Sequence, residues 1–373
     1  MRRPLAAFAC AAALVLAGCG GGDEPASEST PAAPSSATAP VAPESSSAPP
    51  APDTSAPEPA APTSAPPSRP KAHRVRDVLA ISVDGLTPRA FDELAPDRIP
   101  AFTRLLQEGA VTLNARTAVE QTVTLPNHTG MLTGRRIDPD QGGHGVTWND
   151  EIPGSTVPGP DGDGVESVFD VVHDAGGTTA LFAGKTKFAT FERSWPDSID
   201  EFEIDGNAGA LVDDTIASLT ADKRRFTFLH IELPDVLGHA TGWLSPAYLV
   251  AVQDTDQLLG EILDAVDSTP RLSKRLVVIL TADHGGPAGE KQHDAADNAA
   301  NYTIPFVVWG RGIESTDLYD LNPDYANPGD EQPSYGGAQP IRNADVANLA
   351  TDVLGLGPVP GSEFDAQQDL VFR

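Results

Sequence analysis

Cysteine is almost absent: the 373 residues hold two, Cys10 and Cys19. Both fall near the amino terminus, so no disulfide can staple the rest of the chain, and its stability must come from a buried core. Basic charge is also scarce, with 25 Lys and Arg against 53 Asp and Glu and a net charge of -28. That balance excludes nucleic-acid polymers as partners, because backbone binding needs cations to neutralise phosphates. It also means that any anionic substrate requires a local cation. The pentapeptide Gly-x-Ser-x-Gly does not occur, which excludes the nucleophile turn of the serine hydrolases.

Long apolar runs are missing too. The stretch Leu5 to Ala17 behind Arg2 and Arg3 is too short to cross a bilayer of about 30 Å. Ending in Leu16-Ala17-Gly18-Cys19, it reads as a signal peptide over residues 1–18 and resembles a bacterial lipoprotein signal with Cys19 as the lipidated residue. Two or three acyl chains there would anchor the protein stably. The expected location is extracytoplasmic, on the bacterial cell membrane, with the lipid as the only membrane contact. From Gly20 to Lys71 the chain is rich in Ala, Pro, Ser and Thr, and Val41 is its one large apolar residue. Such a segment cannot bury a core, so residues 19–75 read as an extended tether and 76–373 as one catalytic domain.

Within that domain four short apolar runs, Val78–Val83, Phe226–Ile231, Leu276–Leu280 and Ile304–Val308, predict buried strands. Amphipathic stretches lie between them. Ser245 suits a helix N-cap followed by Pro246, with Tyr248, Val252, Thr255, Leu259, Ile262 and Val266 on one face. Another helix is expected over Ala101–Glu108, stopping at Gly109. Alternating strands and helices indicate an α/β fold with a largely parallel sheet covered on both faces.

In such folds chemistry sits past the carboxyl ends of strands. Asp84 follows the first run, Asp235 and His239 the second, and Asp283 and His284 the third. A lone Asp after a strand is usually a turn former, but three carboxylates at one edge, two with a nearby His, point to a metal centre of the zinc or manganese kind. His293, before the Ile304 run, is the sixth protein ligand or else a solvated loop residue. Thr124, in Thr122-Val123-Thr124-Leu125-Pro126-Asn127-His128, precedes an expected helix Asn127–Thr133 that ends at Gly134. There its hydroxyl would face unpaired N–H groups and the positive end of the helix dipole, and a metal could activate it as a nucleophile.

The segments Ile81-Ser82-Val83-Asp84-Gly85, Thr124 to His128, Pro234 to His239 and Ala282-Asp283-His284-Gly285 together resemble the alkaline phosphatase superfamily, closest to its type I phosphodiesterase/nucleotide pyrophosphatase branch. The resemblance implies an alkaline phosphatase-like fold and two zinc ions, with manganese as an alternative. Asp235, His239 and His293 would hold one ion, while Asp84, Asp283, His284 and the Thr124 oxygen would hold the other. It further implies hydrolysis of a small phosphate ester through a covalent phospho-threonine. His144 to Asn149 resembles the segment that supplies an oxyanion donor, making Asn149 that donor or a plain turn residue. Lys185 and Lys187 resemble lysines with which phosphonoacetate hydrolases grip a substrate carboxylate; a solvated loop is the alternative.

Departures narrow the choice. Leu125 stands where monoester phosphatases carry an Arg, and the sulfatase pattern for making formylglycine is missing around Thr124. A phosphodiesterase is therefore expected, with phosphonoacetate-hydrolase-like or monoesterase activity, or an inactive envelope lipoprotein, as alternatives. Specificity is expected in the loops Gly142–Glu166, Lys185–Asp205 and Thr316–Ile341. Asp161-Gly162-Asp163-Gly164 lacks the remainder of a calcium loop and reads as a surface turn.

Overall fold

The computed structural model describes residues 76–221 and 224–373. The expectations for the signal, Cys19 and the tether lie outside the described residues. Eight strands are present among them: β1 Asp77–Val83, β2 Ala110–Arg116, β3 Thr179–Ala183, β4 Glu201–Ile204, β5 Phe226–Ile231, β6 Leu276–Thr281, β7 Thr303–Gly310 and β8 Thr316–Asp317. They form one sheet in the order β4-β3-β5-β1-β6-β7-β2-β8. Every neighbouring pair is parallel except β6–β7 and β7–β2. Strand β7 alone therefore runs against the other seven. Every residue of β1, β5 and β6 is buried. Because successive side chains point to opposite faces, burial of all of them means that helices and loops cover both sides.

All four predicted strands are present as β1, β5, β6 and β7. The helix Pro246–Ser268 begins as expected, with the Ser245 side chain accepting from the Tyr248 N–H and Pro246 in the first turn. Its six predicted face residues are all buried. The helix Pro100–Glu108 also ends at Gly109, but for a different reason than a left-handed cap. Gly109 has an extended φ of -97°, and a Cβ there would lie 2.8 Å from both the Leu105 and Val308 carbonyl oxygens. Close approach of backbone, not positive φ, requires glycine at that position.

Two expectations need correction. The helix predicted over Asn127–Thr133 runs Thr124–Thr133, so Thr124 is its first helical residue and Pro126 its third. Proline is tolerated there because the first N–H groups of a helix have no intrahelical partner. The end at Gly134, with φ 65°, is as expected. The Thr316–Ile341 segment is no free loop. Buried Arg116 donates to the Glu331 and Gly329 carbonyls, and buried Arg342 to those of Thr117 and Pro333. Lys185–Asp205 likewise contains the helix Ala189–Ser194 and β4. The Asp161 to Gly164 turn is fully exposed.

Candidate active site

Strands β5, β1 and β6 lie side by side in register, with Ser82 opposite both His230 and Thr281. Their carboxyl ends thus release the chain at one level of one edge. Asp84 follows β1, and its N–H bonds to the Ile231 carbonyl at 2.9 Å. The turn beyond it needs Gly85, which has φ 68° and whose Cβ would sit 3.0 Å from the Asp235 Cα. The Gly85 carbonyl accepts from Trp243 Nε1 and from the Tyr248 hydroxyl, both at 2.9 Å. After β5, the helix Leu233–Thr241 carries Asp235 and His239 one turn apart on the same face. After β6, Asp283 Oδ1 accepts from the Gly85 and His284 N–H groups at 3.1 and 3.0 Å. Since β7 is reversed, the loop before it reaches the same edge and delivers His293. Thr122 fixes that loop, its hydroxyl donating to the His293 carbonyl at 2.5 Å and its carbonyl accepting from His293 Nδ1 at 2.7 Å.

The imidazole tautomers follow from these bonds. Nδ1 of His239 meets the Lys291 carbonyl at 2.8 Å, Nδ1 of His284 the Gly285 carbonyl at 2.9 Å, and Nδ1 of His293 the Thr122 carbonyl. Carbonyls only accept, so Nδ1 carries the proton in each ring and every Nε2 presents a lone pair to the centre. The Nε2 atoms of His239 and His293 face one another at 3.2 Å. Two lone pairs at that distance repel unless a cation or proton lies between them. Asp235 Oδ1 lies 3.4, 3.7 and 3.8 Å from Nε2 of His239, His293 and His284. Asp84 Oδ1 and Asp283 Oδ2 lie 3.4 and 3.2 Å from His284 Nε2. Asp84 Oδ1, Asp235 Oδ1, Asp283 Oδ2 and His284 Nε2 are buried without a hydrogen-bond partner. Unpaired buried polar atoms are costly, and four of them converging with two further imidazoles fit a metal centre. Asp235, His239 and His293 form one group able to hold an ion, and Asp84, Asp235 and His284 another.

Burial raises the Asp84 pKa, but the Lys185 ammonium and the His230 hydrogen bond outweigh it and hold the carboxyl well below the usual range. Burial and the Asp84 charge push Asp283 well above that range. Burial drives His284 down to about 4 and, with repulsion from His284, His293 down to about 3. Both rings are therefore neutral near pH 7, the state in which imidazole binds a metal.

Thr124 is buried at the start of its helix, but the expected row of unpaired N–H groups is absent around it. The Leu125 N–H donates to Asn149 Oδ1 at 2.8 Å, Pro126 has none, and the Asn127 N–H bonds to the Val123 carbonyl at 3.3 Å. Leu125 itself is fully buried. Asn149 Oδ1 also accepts from Lys187 Nζ at 3.2 Å. With its oxygen taken by two donors, the Asn149 amide has its NH₂ group left to offer elsewhere. A solvated loop does not describe the two lysines. The Lys185 side chain is 15% exposed, with Nζ 2.6 Å from Asp84 Oδ2 and 2.6 Å from Asp235 Oδ2. Asp84, Lys185, Asp235, His239, Asp283, His284 and His293 thus come together at one edge of the sheet, while Asn149 and Lys187 meet each other beside the start of the Thr124 helix.

Residues 78–334 match the family described as type I phosphodiesterase / nucleotide pyrophosphatase. The chain belongs to that family. Among individual proteins it is 26% identical to mouse ectonucleotide pyrophosphatase/phosphodiesterase family member 1 over 207 residues, 51% of this chain and 22% of the relative. It is 28% identical to the 2,3-bisphosphoglycerate-independent phosphoglycerate mutase of Sulfurisphaera tokodaii over 124 residues, 33% of this chain and 25% of the mutase. The chain therefore spans a quarter or less of the curated relatives it matches. Its fold is shared with murine ectonucleotide pyrophosphatase/phosphodiesterase 5, solved in complex with AMP, at a TM-score of 0.60, 15% identity, and 80% and 100% coverage of the two chains. The architecture is that of the alkaline phosphatase superfamily.

Two residues of this family member's site had no role assigned from sequence. His230, inside the apolar run of β5, donates from Nε2 to Asp84 Oδ2 at 2.8 Å, while its Nδ1 accepts the Gly184 N–H at 3.2 Å. His128, one turn beyond Thr124, links the Thr124 carbonyl and the Ser82 hydroxyl, each at 2.8 Å. A histidine in an otherwise apolar strand was the available signal for the first. For the second, the signal was the i, i+4 spacing from Thr124.

Proposed function

We propose that this chain is a two-zinc phosphodiesterase acting on small phosphate diesters such as nucleotide derivatives, with Thr124 as the nucleophile. The observation that carries the reading is the set of Nε2 lone pairs and unpaired carboxylate oxygens gathered at the strand ends beside the Thr124 helix. Asp235, His239 and His293 would hold one ion, and Asp84, Asp283, His284 and the Thr124 oxygen the other; manganese suits the same donors. Ions held by these residues would supply positive charge to the reacting oxygens and would favour the alkoxide form of Thr124. Thr124 Oγ attacks phosphorus, the P–O bond to the leaving alcohol breaks, and water later cleaves the phospho-threonine. Asn149 donates its amide N–H to a non-bridging oxygen as charge builds there. A diester fits better than a monoester because buried Leu125 brings no cation to a terminal phosphate. The protein acts at the bacterial cell membrane as a lipoprotein held by Cys19, a reading supported by the Leu16-Ala17-Gly18-Cys19 sequence.

The test combines composition and chemistry. Purified active protein should carry about two zinc ions and lose activity to chelators. Thr124→Ala should lose ~10³ in kcat/KM, about 4 kcal/mol of transition-state stabilisation, while Thr124→Ser retains far more. Acid quenching during turnover of a labelled diester should leave label on the Thr124 peptide. Net inversion at a chiral phosphorus, or an active preparation without transition metal, would overturn the reading.

A further inference from the structure

Asp84 and Asp235 use their two oxygens in different ways. Oδ1 of each is buried without a hydrogen-bond partner and lies among the imidazole Nε2 atoms. Oδ2 of each is 2.6 Å from the same Lys185 ammonium. Asp84 Oδ2 is held a second time by His230, whose other nitrogen accepts the N–H of Gly184, the residue next to Lys185. Lys185 lies just past the carboxyl end of β3, which pairs with β5, so it approaches from the side of the sheet away from β6.

A carboxylate free to rotate about its Cβ–Cγ bond can offer either oxygen, or both, to a cation. An ammonium that clamps one oxygen of each removes that freedom and leaves the other oxygen aimed at the centre. We propose that Lys185 is a positioning residue that ties together the two carboxylates, one from each proposed ligand set, and pre-assembles the metal site, with no direct grip on substrate. This rests on the two-metal reading and goes beyond it. Lys185 is the cation that faces both Asp84 and Asp235, with Nζ 2.6 Å from one oxygen of each. Two of its three N–H donors are committed to Asp84 and Asp235. Outer contacts of this kind typically change activity or metal affinity ~10–100-fold when removed, and removing one partner of a buried ion pair strongly destabilises the state that depended on it.

The test is Lys185→Met, with Lys185→Gln beside it because Gln keeps a polar end if the apolar side chain fails to fold. Thermal melts of metal-free protein should show a lower Tm in the variants, and added zinc should stabilise them less than it stabilises wild type, because a site that is not pre-assembled binds the ion more weakly. With zinc saturating, kcat should fall ~10–100-fold at nearly unchanged KM. A rise in KM with kcat and metal-free stability intact would mean that Lys185 holds substrate, and would overturn the proposal. So would a lower metal-free Tm combined with wild-type kcat, which marks a merely structural ion pair. Should neither variant fold, amine labelling of zinc-loaded wild type decides. Lys185 should stay unmodified while exposed Lys274 and Lys291 react, and labelling at their rate would show the clamp released. Zinc content of wild type is measured separately, so failure in protein that binds two zinc ions falls on Lys185 alone.

Discussion

Asn149 offers the cleanest separation of a structural role from a catalytic one, because its two amide atoms do different things. Oδ1 caps the Thr124 helix through the Leu125 N–H at 2.8 Å and accepts from Lys187 at 3.2 Å. The NH₂ group is the part proposed to meet the substrate. Asn149→Asp keeps both acceptor contacts, strengthens them with charge, and removes the donor. Asn149→Ala removes everything. For stability, the expected order is Asp equal to or above wild type, with Ala lower by about 0.5–1.5 kcal/mol for the lost hydrogen bonds. For kcat, the order differs: Ala should lose ~10²–10³, the usual cost of one oxyanion donor, and Asp should lose more because a carboxylate repels the phosphoryl oxygens. Urea melts and steady-state kinetics on the zinc-loaded protein measure the two orders. If the Asp variant turns over faster than Ala, the side chain matters only for holding the helix, and the donor role is wrong.

Asp365 is buried, and its Oδ2 has no partner; burial and the Asp345 charge raise its pKa to about 8. Its folded pKa lies above the unfolded value, so stability falls as pH rises from about 4 towards 8, by up to about 1.4 kcal/mol per unit. Asp365→Asn keeps an acceptor for the Asp369 and Leu370 N–H groups and should melt above wild type at pH 8, with the gap closing near pH 4; equal melting at pH 8 would refute this. Native protein should partition with membranes and Cys19→Ser should release it or leave the signal uncut; wild type found wholly soluble outside the cell would count against the anchor.

The acids and histidines gathered at the site are legible mainly because they lie beyond strands that are themselves legible. Val78–Val83, Phe226–Ile231 and Leu276–Leu280 announce themselves as apolar runs, and the Asp or Asp-His just beyond each marks the carboxyl edge. His293 was harder to place, since its arrival depends on β7 running against its neighbours, and strand direction is not written in local sequence. The start of the Thr124 helix was misjudged for a related reason. Its amino end is capped by Asn149, 24 residues away, where sequence rules look for a cap within the same segment. Strands β3 and β4 are short, and β2, as long as β1, carries Thr112, Asn114 and Arg116 that break its apolar pattern.

The groups that orient the site's acids and histidines form a layer that the sequence also contains, though no motif marks it. His230, Ser82 and Thr281 stand opposite one another across β5, β1 and β6, so their side chains share one face. Each is a polar residue in a strand that is otherwise almost wholly apolar and entirely buried. None is idle: His230 holds Asp84, Ser82 meets His128 beneath Thr124, and Thr281 donates to the Pro305 carbonyl at the start of reversed β7 at 2.8 Å. A buried hydroxyl or imidazole without a partner costs a few kcal/mol, so polar residues at matching positions of adjacent strands imply shared work. Here that work is to fix Asp84, the Thr124 helix and the reversed strand that follows the His293 loop, one step below the cluster those elements build.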